Sequence, residues 1–397
     1  MGPLALMAKS AGFNVFGSDS AEGAILPELI KNDIEVKIGE QDGKFLQEKI
    51  DGVGVDWLVY TSALPENHPE LVLAHKKGLK ISKRDDLTEF LVEKLGLKMI
   101  AVAGTHGKTT TTAMIVFAGL KLGLPISYII GTTLGFAPSG AYQASAKYFV
   151  YEADEYDRNF LKYHPWLAVI PFVSYDHPDI YPTREDYLAA FQQFESQSEN
   201  VVKNTAFNNE IKLAGAARRH DARLALEAIM QIATDSSRTD IAPEQVAEIL
   251  NQFPGVGRRF EKLADGIYTD YAHHPEEIAA TIETASEEAE MTGKKGVVVV
   301  YQPHQNTRQH EVKAGYKNAF MGADKVLWLP TYLTRENPDL KVLTPTDLIH
   351  EMNNAEIAEP AELGEELRQK ILQYQHEGYL IVLMTAGPAD KWLREIL

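Results

Sequence analysis

The stretch Lys98-Met-Ile-Ala-Val-Ala-Gly-Thr-His-Gly-Lys-Thr-Thr-Thr-Thr112 constrains this chain more than any other. The apolar run Met99–Ala103 leads directly into Gly104-Thr105-His106-Gly107-Lys108-Thr109, and a helix-permissive segment follows. That is the layout of a phosphate loop between a buried strand and a helix. Successive backbone N–H groups and the helix N-terminus bind phosphate oxygens, the lysine reaches the terminal phosphates, and the hydroxyl meets Mg²⁺. The strict pattern has another glycine five residues before Gly107, where this chain has Val102, so the match is the shortened form Gly-x-x-Gly-Lys-Thr. A glycine-rich strand–helix turn with an exposed lysine is the bland alternative for the same residues.

At 397 residues the chain exceeds one ordinary core, and two or three domains are expected. Its 45% hydrophobic and 24% charged residues are those of a globular protein that folds in water. No apolar run approaches the roughly 20 residues of a membrane helix. Residues 1–12 have neither a basic start nor an apolar signal core, so secretion is not expected. The absence of cysteine excludes disulfides, thiolate metal sites and cysteine nucleophiles, and fits a reducing cytoplasm. A net charge of −17 argues against general nucleic-acid binding, which rests on Lys and Arg neutralising phosphates. A nucleotide substrate remains compatible, provided positive charge is gathered locally.

Residues 1–97 read as alternating helix and strand. A helix is expected over Leu4–Ala11, a short strand over Asn14–Phe16 closing on Gly17-Ser18-Asp19, a buried strand over Val55–Thr61 and a helix over Asp85–Leu95. An acidic residue after the second strand suggests a dinucleotide-binding-like half, but the glycine fingerprint that should precede it is missing. The second block, from Lys98 to about Phe253, carries strands at Tyr148–Glu155 and Leu167–Ser174 and helices at Glu185–Ser196, Asp221–Ala233 and Pro243–Phe253. Phe253-Pro254-Gly255-Val256-Gly257 is the best linker candidate. In residues 258–397, strands are expected at Ile267–Tyr271, Gly296–Tyr301, Lys325–Leu329 and Tyr379–Met384. Helices there are expected at Pro275–Met291, His310–Phe320, Glu362–Gln375 and Pro388–Ile396. The fold class is therefore α/β, with a mostly parallel sheet around the phosphate loop.

Two strands of the second block end in ionisable groups: Glu152-Ala-Asp154-Glu155, and Tyr175-Asp176-His177-Pro178-Asp179. Ligands sit at the carboxyl ends of α/β strands, beside the phosphate loop in this case. Mg²⁺ takes oxygen ligands and keeps several waters, so a hydroxyl, one or two carboxylates and ATP phosphates form the expected set. Thr109 and Glu152 are the first candidates, with Asp154, Glu155, Asp176 and Asp179 in support. Any one acid alone reads as a solvated strand end; clustered after two strands of a phosphate-loop domain, they read as a site. His177 can ligate a second metal, hold a water or make a structural hydrogen bond, and spacing leaves these open.

Arg258-Arg259-Phe260-Glu261 lies just past the linker. The paired arginines are either surface charge or a cation reaching over the triphosphate during phosphoryl transfer. Asp270-Tyr271-Ala272-His273-His274-Pro275 ends one strand and starts a helix, a place suited to anion binding. Gln302-Pro303-His304-Gln305-Asn306-Thr307-Arg308 does the same after the next strand. Arg308 and His273 are the candidates for contact with a substrate carboxylate or phosphate.

Taken together, these motifs resemble the Mur ligase family, the ATP-dependent amide-forming enzymes of peptidoglycan precursor synthesis. Gly104–Thr111 is similar to that family's phosphate loop, including the histidine. The segments Glu152–Glu155, Asp176–Asp179, Gly257–Phe260, Asp270–Pro275 and Gln302–Arg308 follow in the family's order, and Thr61-Ser62-Ala63 through Asn67-His68-Pro69-Glu70 resembles its first-domain segment. The resemblance spans nearly the whole chain and falls on the branch that adds L-alanine to UDP-N-acetylmuramate. It implies three domains: 1–97, Rossmann-like and UDP-sugar-binding; 98–255, a P-loop ATPase domain; and 256–397, Rossmann-like and amino-acid-binding.

The resemblance also implies a reaction and its residues. The substrate carboxylate attacks the ATP γ-phosphate, and the amine of L-alanine then attacks the resulting acyl phosphate. ATP is held by Gly104, Thr105, His106, Gly107, Lys108, Thr109, Thr110, Asp221, Arg258, Arg259 and Asp270. Thr109, Glu152 and His177 hold Mg²⁺. Ser62, Tyr271, His273, His304 and Arg308 face the substrates, and Lys108, Glu152, His177, Arg259 and His273 carry the catalysis. The implied setting is the cytoplasm, with small-molecule substrates, no nucleic-acid or membrane partner, and a monomer or homodimer.

Four departures qualify the resemblance. The family's first strand and most of its glycine loop for the UDP diphosphate have no counterpart, so the 1–97 domain is expected to be N-terminally incomplete. Between Asn200 and His220 the chain is far shorter than the family's usual central domain, and peripheral strands are expected to be lost. His220-Asp221-Ala222-Arg223-Leu224-Ala225 aligns with a helix start that carries paired asparagines near the adenine; Asp221 stands for one, and Leu224 has no hydrogen bond to offer for the other. Gln305 stands where several members have arginine. No lysine lies between Tyr187 and Ser198 to match the one that sibling ligases carbamylate, which agrees with the alanine-adding branch. A tripeptide-recycling ligase and a degenerate, non-catalytic nucleotide-binding protein are the alternatives.

Overall fold

The computed structural model describes all residues except 62–63, 178–179, 206–210 and 335. Ser62, expected at the sugar nucleotide, and Asp179, a supporting acid, lie outside the described residues. The chain divides into two compact units, one of Met1–Ile211 and Asp221–Gln252, the other of Lys212–His220 and Phe253–Leu397. Among the described residues no helix is long and apolar enough to cross a membrane.

The first unit begins with two small parallel pairs, β1 (Phe16–Asp19) with β2 (Glu35–Ile38) and β3 (Trp57–Tyr60) with β4 (Lys80–Lys83). The expected strand at Asn14–Phe16 is thus displaced to Phe16–Asp19. Gly17, Ser18 and Asp19 are poor strand formers, but a parallel ladder from Phe16↔Glu35 to Asp19↔Ile38 pairs their backbone, and tertiary pairing overrides local propensity. The opening helix, Gly2–Ser10, buries Leu6 against Leu29 and Ile34 and turns Leu4, Met7 and Ala8 into a second cluster with Leu91 and Leu97.

The six-stranded sheet of this unit runs β10-β9-β5-β8-β6-β7, from β5 (Lys98–Val102), β6 (Ile126–Ile129), β7 (Gly140–Ala141), β8 (Tyr148–Glu152), β9 (Leu167–Val169) and β10 (Asn200–Val202). Only the β6–β7 pairing is antiparallel. Residues Met99–Val102 are buried on both faces, as a central parallel strand requires. The strand expected to reach Ser174 stops at Val169, and Pro171, which has no N–H for a ladder, follows. Gly140 allows the opening helix to close on β7: a β-carbon there would lie 2.0 Å from the Pro3 carbonyl oxygen.

The second unit holds the other six-stranded sheet, in the order β11-β12-β16-β13-β14-β15. Its strands are β11 (Glu261–Ala264), β12 (Ile267–Asp270), β13 (Val297–Gln302), β14 (Lys325–Trp328), β15 (Ala358–Pro360) and β16 (Leu380–Thr385). All pairings are parallel except the β11–β12 hairpin. β13 reads Val-Val-Val-Val-Tyr-Gln and is wholly buried; β-branched residues pack well on a pleated surface, and each buried valine contributes roughly 1.5–3 kcal/mol. The helix Pro275–Met291 matches its expected bounds, with proline at its start and a capping box between His274 and Glu277. The helix expected at His310–Phe320 instead spans Asn306–Val312 and continues as a 3₁₀ turn, Lys313–Lys317. Both units are α/β, as the hydrophobic periodicity required.

Candidate active site

In the first unit the phosphate loop follows β5, with β8 on one side and β9 on the other. Neighbours on both sides open a crevice at the strands' carboxyl ends. The loop is tied to the chain after β9: the Thr105 N–H donates to Phe172 O at 2.8 Å, the Thr105 hydroxyl donates to Ser174 O at 2.7 Å, and the Ser174 N–H returns to that hydroxyl at 2.9 Å. Buried Tyr187 adds a 2.8 Å contact to the same hydroxyl. His106 is exposed, and its ring stacks on Phe172.

Gly107 caps the helix Lys108–Lys121 at φ +82°, a left-handed conformation that favours glycine. It also leaves room for the buried Asp221, whose carboxylate oxygen would lie 2.6 Å from a β-carbon at this position. Asp221 is therefore at the phosphate loop. Thr110 is half-buried on the helix's first turn.

The Lys108 ammonium donates to Gly104 O at 2.5 Å and pairs with Glu155 at 2.8 Å. Glu155 is 2% exposed. Burial pushes its carboxyl above the usual carboxylate range, and the Lys108 charge opposes that rise. The Thr109 hydroxyl donates to Glu152 at 2.6 Å. A hydroxyl and a carboxylate oxygen at the start of this helix fit a Mg²⁺ ion that keeps its waters and takes phosphate oxygens. Among the described residues no three histidine or acidic side chains converge as a complete protein cage, which Mg²⁺ does not need.

His177, at φ +57°, has other neighbours: Glu155 at 3.6 Å and Asp176 at 3.7 Å. The structure thus gathers Lys108, Glu155 and His177 in one group and Thr109 with Glu152 in another. Glu155, a supporting acid by sequence, is the centre of the first group. Tyr181 holds its backbone, donating to Glu155 O at 2.6 Å.

The second unit builds its own site at the carboxyl ends of β12, β13 and β16. Arg258 donates to Thr385 O at 2.5 Å in the turn after β16 and lies over the Tyr271 ring, 4.7 Å from its centroid. Arg259 is exposed and approaches the same ring at 5.3 Å. Of the expected pair, Arg258 is committed to the fold, and Arg259 is the one open to solvent. Asp270 is buried and accepts the N–H groups of Phe260 at 2.7 Å and Ala272 at 2.8 Å. Burial raises its carboxyl above the usual range, against the pull of Arg259.

His273 Nδ1 lies 3.0 Å from Tyr271 O and 3.3 Å from Glu277. Two acceptors at Nδ1 place the ring proton there and leave Nε2 as an acceptor. Burial pushes the imidazole down to about 4, so it is neutral near pH 7. The His304 ring is 6.0 Å away, centroid to centroid. Arg308 follows on the helix Asn306–Val312, and among the described residues its guanidinium makes no ion pair. That leaves a cation available for a ligand carboxylate.

Sequence reasoning missed two acids here. Glu277 accepts the N–H groups of His273 and His274; its signal was its place three residues after His274, a capping-box spacing. Glu336 accepts the N–H groups of Asn306 at 2.9 Å, Thr307 at 3.0 Å and Thr334 at 2.9 Å. Burial opposes ionisation of Glu336, but these donors prevail and hold its carboxyl below the usual range. This carboxylate starts the helix at Asn306, earlier than expected, and no local pattern announces it.

Comparison with known proteins gives one consistent result. Residues 1–94 match the profile "Mur ligase family, catalytic domain", 102–248 "Mur ligase middle domain" and 258–387 "Mur ligase, glutamate ligase domain". The UDP-N-acetylmuramate–L-alanine ligase of a Nocardioides species is 31% identical over 83% of this chain and 78% of its own length. The enzyme of the same name from Caldicellulosiruptor saccharolyticus is 27% identical over 100% of this chain and 96% of its own. Among solved structures, the UDP-N-acetylmuramate–alanine ligase of Thermotoga maritima shares the fold with a TM-score of 0.78 at 22% identity, covering 100% of this chain and 95% of that one. A murein peptide ligase from Psychrobacter arcticus does so at 0.61 and 21%, with the same coverage.

Proposed function

The chain belongs to the Mur ligase family, and from that premise we propose that it joins L-alanine to UDP-N-acetylmuramate at the expense of ATP. The observation that carries this reading is the phosphate loop with its paired donors: Lys108 on Glu155, and Thr109 on Glu152 at 2.6 Å. A carboxylate does not form an amide with an amine directly. Its oxygen attacks the γ-phosphorus of ATP, the bond to the β-phosphate oxygen breaks, and ADP leaves an acyl phosphate. The neutral amine of L-alanine then attacks the acyl carbon. The tetrahedral intermediate collapses to the amide, phosphate departs, and the amine proton goes to solvent.

The side chains divide this work between the two units. Lys108 draws charge from the terminal phosphates, and the backbone N–H groups of Gly104 to Thr110 cradle the rest. Thr109 and Glu152 would hold Mg²⁺, which when bound would offset phosphate charge. In the second unit, Arg308 takes the amino-acid carboxylate, while His273 Nε2, neutral and bare, accepts a hydrogen bond from its amine. Residues 1–97 serve the sugar nucleotide, 98–255 ATP and 256–397 the amino acid. Such a reaction belongs in the cytoplasm, where ATP is available.

Phosphate release is the test, with ATP, Mg²⁺ and UDP-N-acetylmuramate present and L-alanine, other amino acids or the tripeptide supplied in turn. Release that depends on L-alanine is expected. Release with the tripeptide alone would assign the chain to the recycling reaction, and no release under any condition would make it a non-catalytic nucleotide-binding protein.

A further inference from the structure

We propose that Tyr301, Tyr316 and Gln309 form a buried hydrogen-bond relay that holds the His273 and His304 loops together as one amino-acid-binding unit. The inference rests on the reading that these loops receive L-alanine, and adds the residues that position them.

The relay runs between two backbone carbonyls. The Tyr301 hydroxyl lies 3.2 Å from His273 O and 2.8 Å from the Tyr316 hydroxyl. Tyr316 donates to Gln309 Oε1 at 2.5 Å, and Gln309 Nε2 donates to His304 O at 3.0 Å. Tyr301, Tyr316 and Gln309 are all fully buried. Trp328 packs edge-on against both tyrosine rings, at 5.0 and 5.2 Å. With water excluded, each polar group depends on the next for its partner, and losing one leaves another unsatisfied.

Proton counting shows how the relay couples the loops. Three oxygen–oxygen contacts share two hydroxyl protons. Tyr316 commits its proton to Gln309, so His273 O and the Tyr316 oxygen compete for the proton of Tyr301. Removing the Tyr301 hydroxyl strips His273 O of this donor. Removing the Tyr316 hydroxyl gives Tyr301 wholly to His273, but leaves Gln309 Oε1 without a donor. Gln309 adjoins Arg308 on the same short helix, so the relay anchors the element that carries Arg308. An apolar core would fill this space without such constraints; the relay contributes orientation rather than bulk.

Steady-state kinetics of Tyr301→Phe, Tyr316→Phe and the double variant test the relay. Each single variant is expected to raise KM for L-alanine about tenfold, the scale of one lost buried hydrogen bond. KM for ATP and for UDP-N-acetylmuramate should stay within about twofold, and the double variant should match the worse single one, because one relay is broken either way. An unchanged KM for L-alanine, or an equal rise in all three constants, overturns the proposal. If the unaltered protein turns over no amino acid, the functional reading fails, and the relay is still tested by histidine ring NMR of the ligand-free protein. Tyr316→Phe should then shift both His273 and His304 while His106 and His177 stay in place; a His273 signal that does not move overturns the relay.

Discussion

The Lys108 ammonium lies 2.8 Å from the Glu155 carboxylate, and Glu155 in turn lies 3.6 Å from the His177 ring. One buried acid thus joins the phosphate loop after β5 to the segment after β9. The pairing also gives Lys108 a partner wherever phosphate is not bound, so neither charge is buried alone.

Lys108→Met is expected to abolish phosphate release and to lower stability by about 3 kcal/mol, since Glu155 loses its partner in a water-poor site. Adding Glu155→Gln should restore most of that stability without restoring activity. Urea unfolding of both variants checks this; equal stability of the single and double variants would show that the pair is not coupled.

Glu152→Gln should raise the Mg²⁺ concentration needed for half-maximal rate by at least about tenfold, because one anionic oxygen beside the Thr109 hydroxyl becomes a neutral amide. Metal titration of the rate, at saturating ATP, measures the shift. Asp154→Asn serves as the comparison and should move the curve little, because among the described residues the Asp154 carboxylate accepts the nearby Tyr156 N–H and makes no contact with Thr109 or Lys108.

Stability should depend on pH through His273. Its folded pKa of about 4 lies below the ordinary 6.5, so the unfolded chain takes up this proton first as the pH falls. The stability tied to the neutral ring is complete above about pH 6.5 and declines as the pH drops towards 4, by on the order of 3 kcal/mol. Glu277, whose carboxyl is held low chiefly by His273 against the effect of burial, adds to the loss in more acidic solution. Unfolding midpoints from pH 4 to 7.5 should slope in the unaltered protein and flatten in His273→Asn.

Gly140→Ala is expected to destabilise the first unit by roughly 1–3 kcal/mol, since its β-carbon would meet the Pro3 carbonyl at 2.0 Å, a backbone atom that cannot rotate away. Gly23→Ala, with nothing within 4 Å, should change stability by less than about 0.5 kcal/mol. Thermal melts of the two variants separate a specific close approach from a general preference for glycine.

Strands and helices with strong periodicity were legible from the residues. Val297–Gln302, Tyr148–Glu152 and Pro275–Met291 lie where apolar runs, acids at strand ends and a proline start put them. The misses share one cause. Phe16–Asp19 is a strand because β2 pairs with it, and Asn306 begins a helix because Glu336, thirty residues on, binds its N–H. Both depend on partners distant in sequence, which local propensity cannot register.

The same division holds for the site. The residues themselves pointed to a phosphate-loop pattern at Gly104–Thr109 between a strand and a helix, to Thr109 and Glu152, which the fold places 2.6 Å apart, and to cationic and imidazole groups at the ends of later strands. Those features are written in short, contiguous patterns whose chemistry follows from residue type and spacing. Only the tertiary structure decided that Glu155 lies between Lys108 and His177, that Arg258 is bound to the turn after β16 while Arg259 stays open, and that buried Tyr301, Tyr316 and Gln309 connect the backbone of His273 to that of His304. Burial and hydrogen-bond partnership are properties of the packed chain, because they depend on which distant groups exclude water from a side chain and which donors they leave beside it.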